Sequence, residues 1–361
     1  MNPQPRIGFA CSYTPLALID AAGFSPYRLL PTRHWGDPTQ HRVPEISGAL
    51  LHDNVCPHVL RILDRALAGD FPPLAGVVVM NSCDAMRRLA DAWTATRPAD
   101  ALLVLDLPSA PTPRLAAYFR GELERLLDFL VACGGQRPTG DAMAAAIQRY
   151  QDLASGLELL RDRARRGVLR GGWATIQETV NASVAGPVEE ALAAVDALLV
   201  EPETAAEKMR GTPIYLTGNV LPDPNAFALF AECGARIVGE DLCTGSRQHA
   251  FLEFDGEGDA LAQFARAWLS RPPCARTFDA GAPGGAADAI AAAAKACGAR
   301  GVVAHVMKFC DPYLGRLPVI ADGLRRAGLP LLTITGDCTN GALGQFRTRL
   351  EAFAEMLEAQ L

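Results

Sequence analysis

Two short cysteine motifs constrain the fold of this chain most strongly, because each lies between a predicted strand and a predicted helix. They are Asn81-Ser82-Cys83-Asp84 and Lys308-Phe309-Cys310-Asp311. Each follows a β-branched apolar run, Gly76–Met80 or Gly301–Val306, of the kind that forms a buried parallel strand. Ligands bind at the carboxyl edge of open α/β sheets, and a helix start favours the thiolate that ligates metals. Both cysteines are therefore candidate ligands at such an edge.

Strand and helix patterns alternate at both ends of the chain, which favours parallel sheets. The predicted strands are Arg6–Ala10, Tyr27–Leu30, Val77–Met80, Leu102–Leu105, Pro213–Thr217, Arg236–Gly239, Gly301–Val306 and Leu331–Thr335. Residues 112–209 instead have the period of helices, interrupted at Gly134-Gly135 and Gly171-Gly172. We predict an α/β fold with two Rossmann-like or flavodoxin-like parallel-sheet domains over 1–111 and 210–361 and a helical domain over 112–209.

Charge and hydropathy argue against several classes of protein. A net charge of −6 is unlike that of a nucleic-acid binder, and no apolar run approaches the roughly 20 residues of a membrane span. The polar start is followed by a strand-like segment and not by the apolar core of a signal peptide. We therefore predict a cytoplasmic protein without nucleic-acid or membrane partners. Its ten cysteines are expected to be thiols, metal ligands or core residues, not disulfides.

Several further cysteines occupy the same kind of position. Cys11, Cys243 and Cys338 also follow predicted strands, and Cys56 fits a loop that enters a helix. Thiolates that converge on one sheet edge suit zinc or an iron–sulfur cluster, and without a C-x-x-C pair the spacing does not choose between them. The remaining cysteines are expected to pack in cores or to have no role: Cys133, Cys233, Cys297 and Cys274.

Signatures of nucleotide binding are missing from the sequence. It has no G-x-x-x-x-G-K-[ST] motif and no G-x-G-x-x-G after a strand, and Gly281–Gly285 is predicted to be a loop. Any ATP chemistry is therefore expected on another protein. His305, inside a predicted strand, is expected to be a core residue.

These motifs together resemble the 2-hydroxyacyl-CoA dehydratase D-component and benzoyl-CoA reductase family. The matching stretches occur in family order, and the helical middle is compatible with the family without being diagnostic. The stretches are Ala21–Leu29, Val55–Pro57, Asn81–Leu89, Leu216–Asn219, Asp241–Arg247, Lys308–Asp311 and Gln345–Phe353.

The resemblance implies a subunit that binds a [4Fe-4S] cluster through Cys56, Cys83 and Cys310 and leaves one iron open. It also implies a homologous second subunit in a heterodimer and a separate ATP-dependent iron–sulfur activator protein. The implied activity is that of an oxygen-sensitive lyase that removes water from a 2-hydroxyacyl-CoA through a ketyl radical. Two alternatives stay open: a benzoyl-CoA reductase-type subunit, which would be an oxidoreductase, and a non-catalytic electron-relay partner.

Two departures from the family pattern concern acids. Where the family commonly has Pro-x-Glu-Leu-Ile, this chain has Pro15–Ile19, with Ala17 in place of the glutamate. Where the family commonly has Glu-Thr-Asp-Tyr, this chain has Thr335–Cys338, with Thr335 in place of the glutamate. Acid–base work is therefore expected on the partner subunit. Cys243 and Cys338 are candidate extra ligands. The related double-cubane branch has an additional Cys-Pro motif between the positions of Cys56 and Cys83, and this chain has no cysteine there.

Overall fold

The first sheet is built from the N-terminal part of the chain. A computed structural model describes residues 4–32, 45–204, 210–338 and 343–359. Strands β1 (Arg6–Phe9), β2 (Ser25–Arg28), β3 (Gly76–Asn81) and β4 (Leu102–Asp106) form a sheet in the order β2-β1-β3-β4. All neighbouring strands run parallel. This is the order in which flavodoxin-like sheets begin.

The second sheet repeats this layout in the C-terminal part. Its strands are β5 (Thr212–Gly218), β6 (Ala235–Asp241), β7 (Gly301–Met307) and β8 (Leu331–Gly336), in the order β6-β5-β7-β8. Pairing is again parallel throughout. The predicted α/β fold class is confirmed, and each of the eight predicted strands overlaps an observed one.

Both faces of each sheet are covered by helices, which is why the strand sequences are apolar on both faces. In β3, Val78 and Met80 pack in one hydrophobic cluster, while Val77 and Val79 pack in the cluster on the other face. The helices around the first sheet are α1 (Leu16–Ala21), α2 (Pro57–Leu67), α3 (Asp84–Thr96) and α4 (Pro113–Ala132). Those that follow β5 are α8 (Pro224–Glu232), α9 (Ala260–Leu269), α10 (Gly285–Ala296), α11 (Asp311–Arg326) and α12 (Leu343–Glu358).

Helices alone connect the two sheets within the described residues. After α4 come α5 (Gly140–Arg165), α6 (Gly172–Ser183) and α7 (Val188–Val200), which share a core. The predicted break at Gly171-Gly172 coincides with the start of α6, where Gly171 has a φ of 73° and serves as the N-cap. Helix α6 itself was not among the predicted helical runs. Helix α4 packs in the same cluster as β1 and β3. The domain limits at 111/112 and 209/210 stay predictions.

No helix in the described parts of the chain is both long enough and apolar enough to cross a membrane.

The expected loop over Gly281–Gly285 is largely confirmed, since α10 begins only at Gly285. His305 is confirmed as a core residue of β7, 6% exposed, and burial lowers its pKa to about 4.

Candidate functional site

Each sheet has one place where the strand order reverses, and both places open onto the same cavity. The reversals lie between β1 and β3 and between β5 and β7. A crevice forms at the carboxyl ends of the strands at such a point, and ligands of α/β proteins bind there. The shared cavity encloses about 800 Å³ counted out to its open mouth. Ser12 and Ser82 line its first side, and Asn219 and Phe309 line the other.

The three predicted cluster ligands line this cavity, and each is the N-cap of a helix. Cys56 precedes α2, Cys83 precedes α3 and Cys310 precedes α11. Three helix N-termini, with their unpaired N–H groups and positive dipole ends, therefore face one space. The sequence indicated each helix start separately, and the fold brings them together. That these thiols ligate a cluster stays a prediction.

Burial has the largest effect on the pKa of each of these thiols. Burial raises the pKa of Cys56, the charge of Cys310 raises it further, and the N–H group of His58 acts in the opposite direction. Burial also raises the pKa of Cys83 and of Cys310. Because burial and like charges both disfavour thiolates, ionised thiols here need a cationic group in the cavity.

The donor set suits a cluster better than a single ion. Across the described ranges, no three His, Cys, Asp or Glu side chains are placed to hold one metal ion. A [4Fe-4S] cluster brings its own bridging sulfides, so its cysteine ligands stand farther apart than the ligands of one ion. Cys56, Cys83 and Cys310 are soft donors around one enclosed space, and soft thiolates are what iron–sulfur clusters bind. The residues therefore fit the predicted group.

The backbone beside the site is strained in two places. Phe309, with a φ of 55°, and Cys338, with a φ of 59°, are the non-glycine residues of the described chain that have a positive φ. Such conformations cost about 1–3 kcal/mol and persist where the surroundings enforce them, often at functional sites. Phe309 lines the cavity and directly precedes Cys310. Cys338 packs beside Cys56, and its thiol lies 3.6 Å from the Met307 sulfur.

The Asn219 side chain ties the carboxyl ends of β5 and β7 together. Its Oδ1 accepts hydrogen bonds from the backbone N–H groups of Val220, at 3.0 Å, and of Met307, at 3.1 Å. It also lowers the pKa of Cys310, against the larger effect of burial. Asn219 thus supports the end of β7, three residues before that cysteine.

Arg247 gives the Asp241–Arg247 motif a structural role. Its Nη2 donates to the Gly218 carbonyl oxygen at 2.9 Å and to the Tyr313 hydroxyl at 2.7 Å, and its Nε is paired with Asp241. Its Nη1 donates to the Cys243 sulfur at 3.2 Å. Cys243 lines the cavity but is already held by this arginine, which favours its interpretation as a packing residue.

Sequence reasoning missed one of the cysteines that line the cavity. Cys274, to which no role was assigned, lines the cavity together with Cys11. It lies in an irregular loop between α9 and α10, where no periodic pattern could have located it. The packing roles of the other cysteines are confirmed, since each caps the C-terminus of a helix and packs in a hydrophobic cluster: Cys133, Cys233 and Cys297.

Ala17, where the family pattern has an acid, lies in α1. It is 4% exposed, packs in the core cluster on one face of the first sheet and is not among the residues that line the cavity. Thr335, at the second departure, is exposed on β8. One polar residue that lines the cavity had no signal in the sequence. It is His58, whose pKa is lowered to about 3 by burial and by the charge of Arg28.

Comparison with known proteins agrees with this architecture. The sequence matches the profile of the 2-hydroxyglutaryl-CoA dehydratase D-component over residues 11–357. It is 25% identical to lactoyl-CoA dehydratase subunit beta of Anaerotignum propionicum, over 97% of this chain and 91% of that protein. It is 24% identical to the (R)-phenyllactyl-CoA dehydratase beta subunit of Clostridium sporogenes, over 98% and 92%. One of the benzoyl-CoA reductase subunits of Thauera aromatica is 23% identical to this chain, over 98% of this chain and 90% of that protein.

The resemblance first inferred from the motifs is thus confirmed over nearly the whole length. The matched residues include every predicted ligand and every strand of the two sheets except β1, which ends before residue 11. The chain belongs to the 2-hydroxyglutaryl-CoA dehydratase D-component family.

Proposed function

We propose that this chain is the [4Fe-4S] subunit of an ATP-activated radical 2-hydroxyacyl-CoA dehydratase. One observation carries the proposal: in a chain of this family, three cysteines at helix N-termini line a single cavity at the switch points of two sheets. Cys56, Cys83 and Cys310 would hold the cluster, which supplies one-electron chemistry when bound.

The reaction is redox-neutral overall. One electron added to the thioester gives a ketyl radical anion, which expels the 2-hydroxyl group as hydroxide. The β-carbon then loses a proton, and the electron is returned as the enoyl-CoA forms. Hydroxide and proton together make the water that is eliminated.

Two partners follow from this proposal. Two of the similar proteins are named as beta subunits of dehydratases, which supports a homologous second subunit. The chain has no nucleotide-binding motif, so ATP hydrolysis is assigned to a separate iron–sulfur activator protein. With Ala17 in a core position, we assign the acid–base work to the second subunit.

A benzoyl-CoA reductase-type subunit is the second candidate. The similarity to one of the benzoyl-CoA reductase subunits of Thauera aromatica favours it. In that case the electrons would stay in the aromatic ring of the product. A subunit that only relays electrons is the third candidate, and it predicts a cluster without substrate binding.

The first test is the metal content of the protein purified without oxygen. We expect about four iron and four sulfide per chain and an EPR signal after reduction. Cys83→Ala and Cys310→Ala should lower the iron content, whereas Cys133→Ala, at the end of α4, should not. Unchanged iron and an unchanged signal in the first two variants would refute their role as ligands.

The second test is reconstitution with the second subunit, the activator, ATP and a reductant. We expect a 2-hydroxyacyl-CoA to be converted to the enoyl-CoA, with no turnover by this chain alone. Formation of a reduced ring from benzoyl-CoA would support the reductase instead. Full activity of an iron-free or air-treated complex, or activity without ATP, would contradict the proposal.

A further inference from the structure

The mouth of the cavity lies beside Cys310. Among the described residues that line the cavity, only Phe309 and Asp311 are exposed, and they are the two chain neighbours of Cys310. Cys56, by contrast, is buried. A lining residue that also reaches solvent lies where the cavity opens. Phe309 and Asp311 therefore form part of the rim, and the Cys310 thiol stands between them.

Phe309 occupies a place in a tight turn that normally belongs to glycine. The Cys310 N–H donates to the Met307 carbonyl oxygen at 3.2 Å, which closes a turn with Lys308 and Phe309 at its centre. Phe309, the second central residue, has a φ of 55°. A positive φ at this position is what a type II turn requires, and Gly or Asn usually supplies it. A phenylalanine here has a conformational cost that glycine would not have.

The surroundings hold this turn on both sides. The Lys308 N–H donates to the Gly336 carbonyl oxygen at 2.9 Å, and its Nζ donates to the Asp337 carboxylate, also at 2.9 Å. These two bonds tie the turn to the end of β8. Helix α11 begins at Asp311, directly after Cys310. The backbone of Phe309 is thus fixed between the end of β7 and the start of α11, which enforces its positive φ.

The Phe309 ring gains little burial in return for this strain. The residue is 44% exposed and belongs to none of the hydrophobic clusters that the described residues form. An apolar side chain left in water forgoes the stabilisation that burial gives. Glycine would therefore suit the stability of this turn better on both counts. The ring must serve another purpose, and its place on the rim indicates which.

We propose that the Phe309 ring is the lip of the cavity, which narrows its mouth and keeps solutes larger than water away from the Cys310 thiol. The turn holds the ring at the opening at the expense of backbone strain. The inference does not rest on the proposed function, because it concerns access to the cavity whatever binds there. With a cluster bound, the same lip would limit the contact of the cluster with solutes, since the apolar shell of a metal site controls solvent access.

The test compares two neutral thiol reagents of different size. The full chain, iron-free and kept without oxygen, is treated with N-methylmaleimide or with the much larger N-pyrenylmaleimide, and modification of Cys310 is followed by mass spectrometry. The ratio of the two rates reports steric access, because ionisation of the thiol affects both rates alike. We expect Phe309→Ala and Phe309→Gly to raise the relative rate of the large reagent severalfold. Phe309→Tyr keeps the ring and should keep the wild-type ratio.

Two controls separate a lip from a general loosening of the fold. Phe254→Ala removes another exposed ring, 39% exposed and not among the residues that line the cavity, and should leave the ratio at Cys310 unchanged. Cys133, which does not line the cavity, serves as the reference thiol within each variant. Phe309→Gly should also raise the melting temperature slightly, because glycine tolerates the positive φ. Greater access would then accompany greater stability, whereas loosening couples access to a loss of stability.

The outcomes decide the proposal in either direction. An unchanged ratio in Phe309→Ala and Phe309→Gly would overturn it, as would an equal rise at Cys133 or in Phe254→Ala. A rise in Phe309→Tyr would show that the turn and not the ring controls access, which also overturns it. If Phe309→Gly does not fold, Phe309→Ala and Phe309→Tyr still decide. A purified chain without iron would refute the cluster proposal and leave this test unaffected, because the test uses iron-free protein.

Discussion

Removing the Arg247 guanidinium should unfold this protein much more readily than removing an exposed arginine. The Arg247 side chain is 2% exposed and that of its partner Asp241 is 15% exposed. Arg247→Met would leave that carboxylate without its cation. It would also remove the donor to the Tyr313 hydroxyl and one of the two donors to the Gly218 carbonyl oxygen, the other being Tyr313 itself. Breaking one side of a buried ion pair costs about 3–5 kcal/mol. Because Asp241 keeps some contact with water, we expect about 3 kcal/mol.

The loss should be measured by urea unfolding of the iron-free protein, followed by tryptophan fluorescence. Arg266→Met is the matched control, because Arg266 pairs with Asp255 at the surface, where the two side chains are 34% and 43% exposed. Exposed pairs are screened by water and contribute little. Adding Asp241→Asn to Arg247→Met should recover part of the stability, since the unpaired charge is then gone. Equal losses for the two arginine variants would refute the reasoning.

Three further predictions follow from the geometry. Gly218→Ala should lower the melting temperature sharply, because the added Cβ would lie 2.0 Å from the His305 carbonyl oxygen and the backbone has a φ of 149°. Gly121→Ala, at a helix position with open space, should raise the melting temperature slightly. Equal shifts of the two variants would contradict this prediction. Two hydrogen bonds hold the pKa of Asp106 below its usual 3.8, and the one from Asn81 has a larger effect than the one from the Tyr118 hydroxyl. Tyr118→Phe removes the second of these bonds. This stabilisation is complete above pH 3.8 and is lost as the pH falls through the lower pKa of the folded state, so the melting temperatures of variant and wild type should differ near neutral pH and converge in acid. A difference that is constant with pH would argue against it. Asn219→Ala should reduce iron content less than Cys310→Ala does, because Asn219 supports the end of β7 without supplying a thiol; equal iron loss would give it a larger role.

The secondary structure was largely predictable because it follows local rules. Buried parallel strands have short β-branched sequences, and each of the eight strands was predicted with its end points shifted by a few residues. Helix α6 was the exception. Its sequence opens with two glycines and contains β-branched residues of modest helix propensity, and its stability comes from packing against α5 and α7.

The sequence by itself determined that Cys56, Cys83 and Cys310 stand at helix starts, since strand ends and helix starts are encoded within a few neighbouring residues. Only the tertiary structure decided that these cysteines share one cavity and that Cys274 joins them, because this depends on strand order and on how two sheets face each other. The same holds for His58, whose pattern is that of any helical residue. Its burial, at 3% exposure in the wall of the cavity, was decided by the packing of the whole chain.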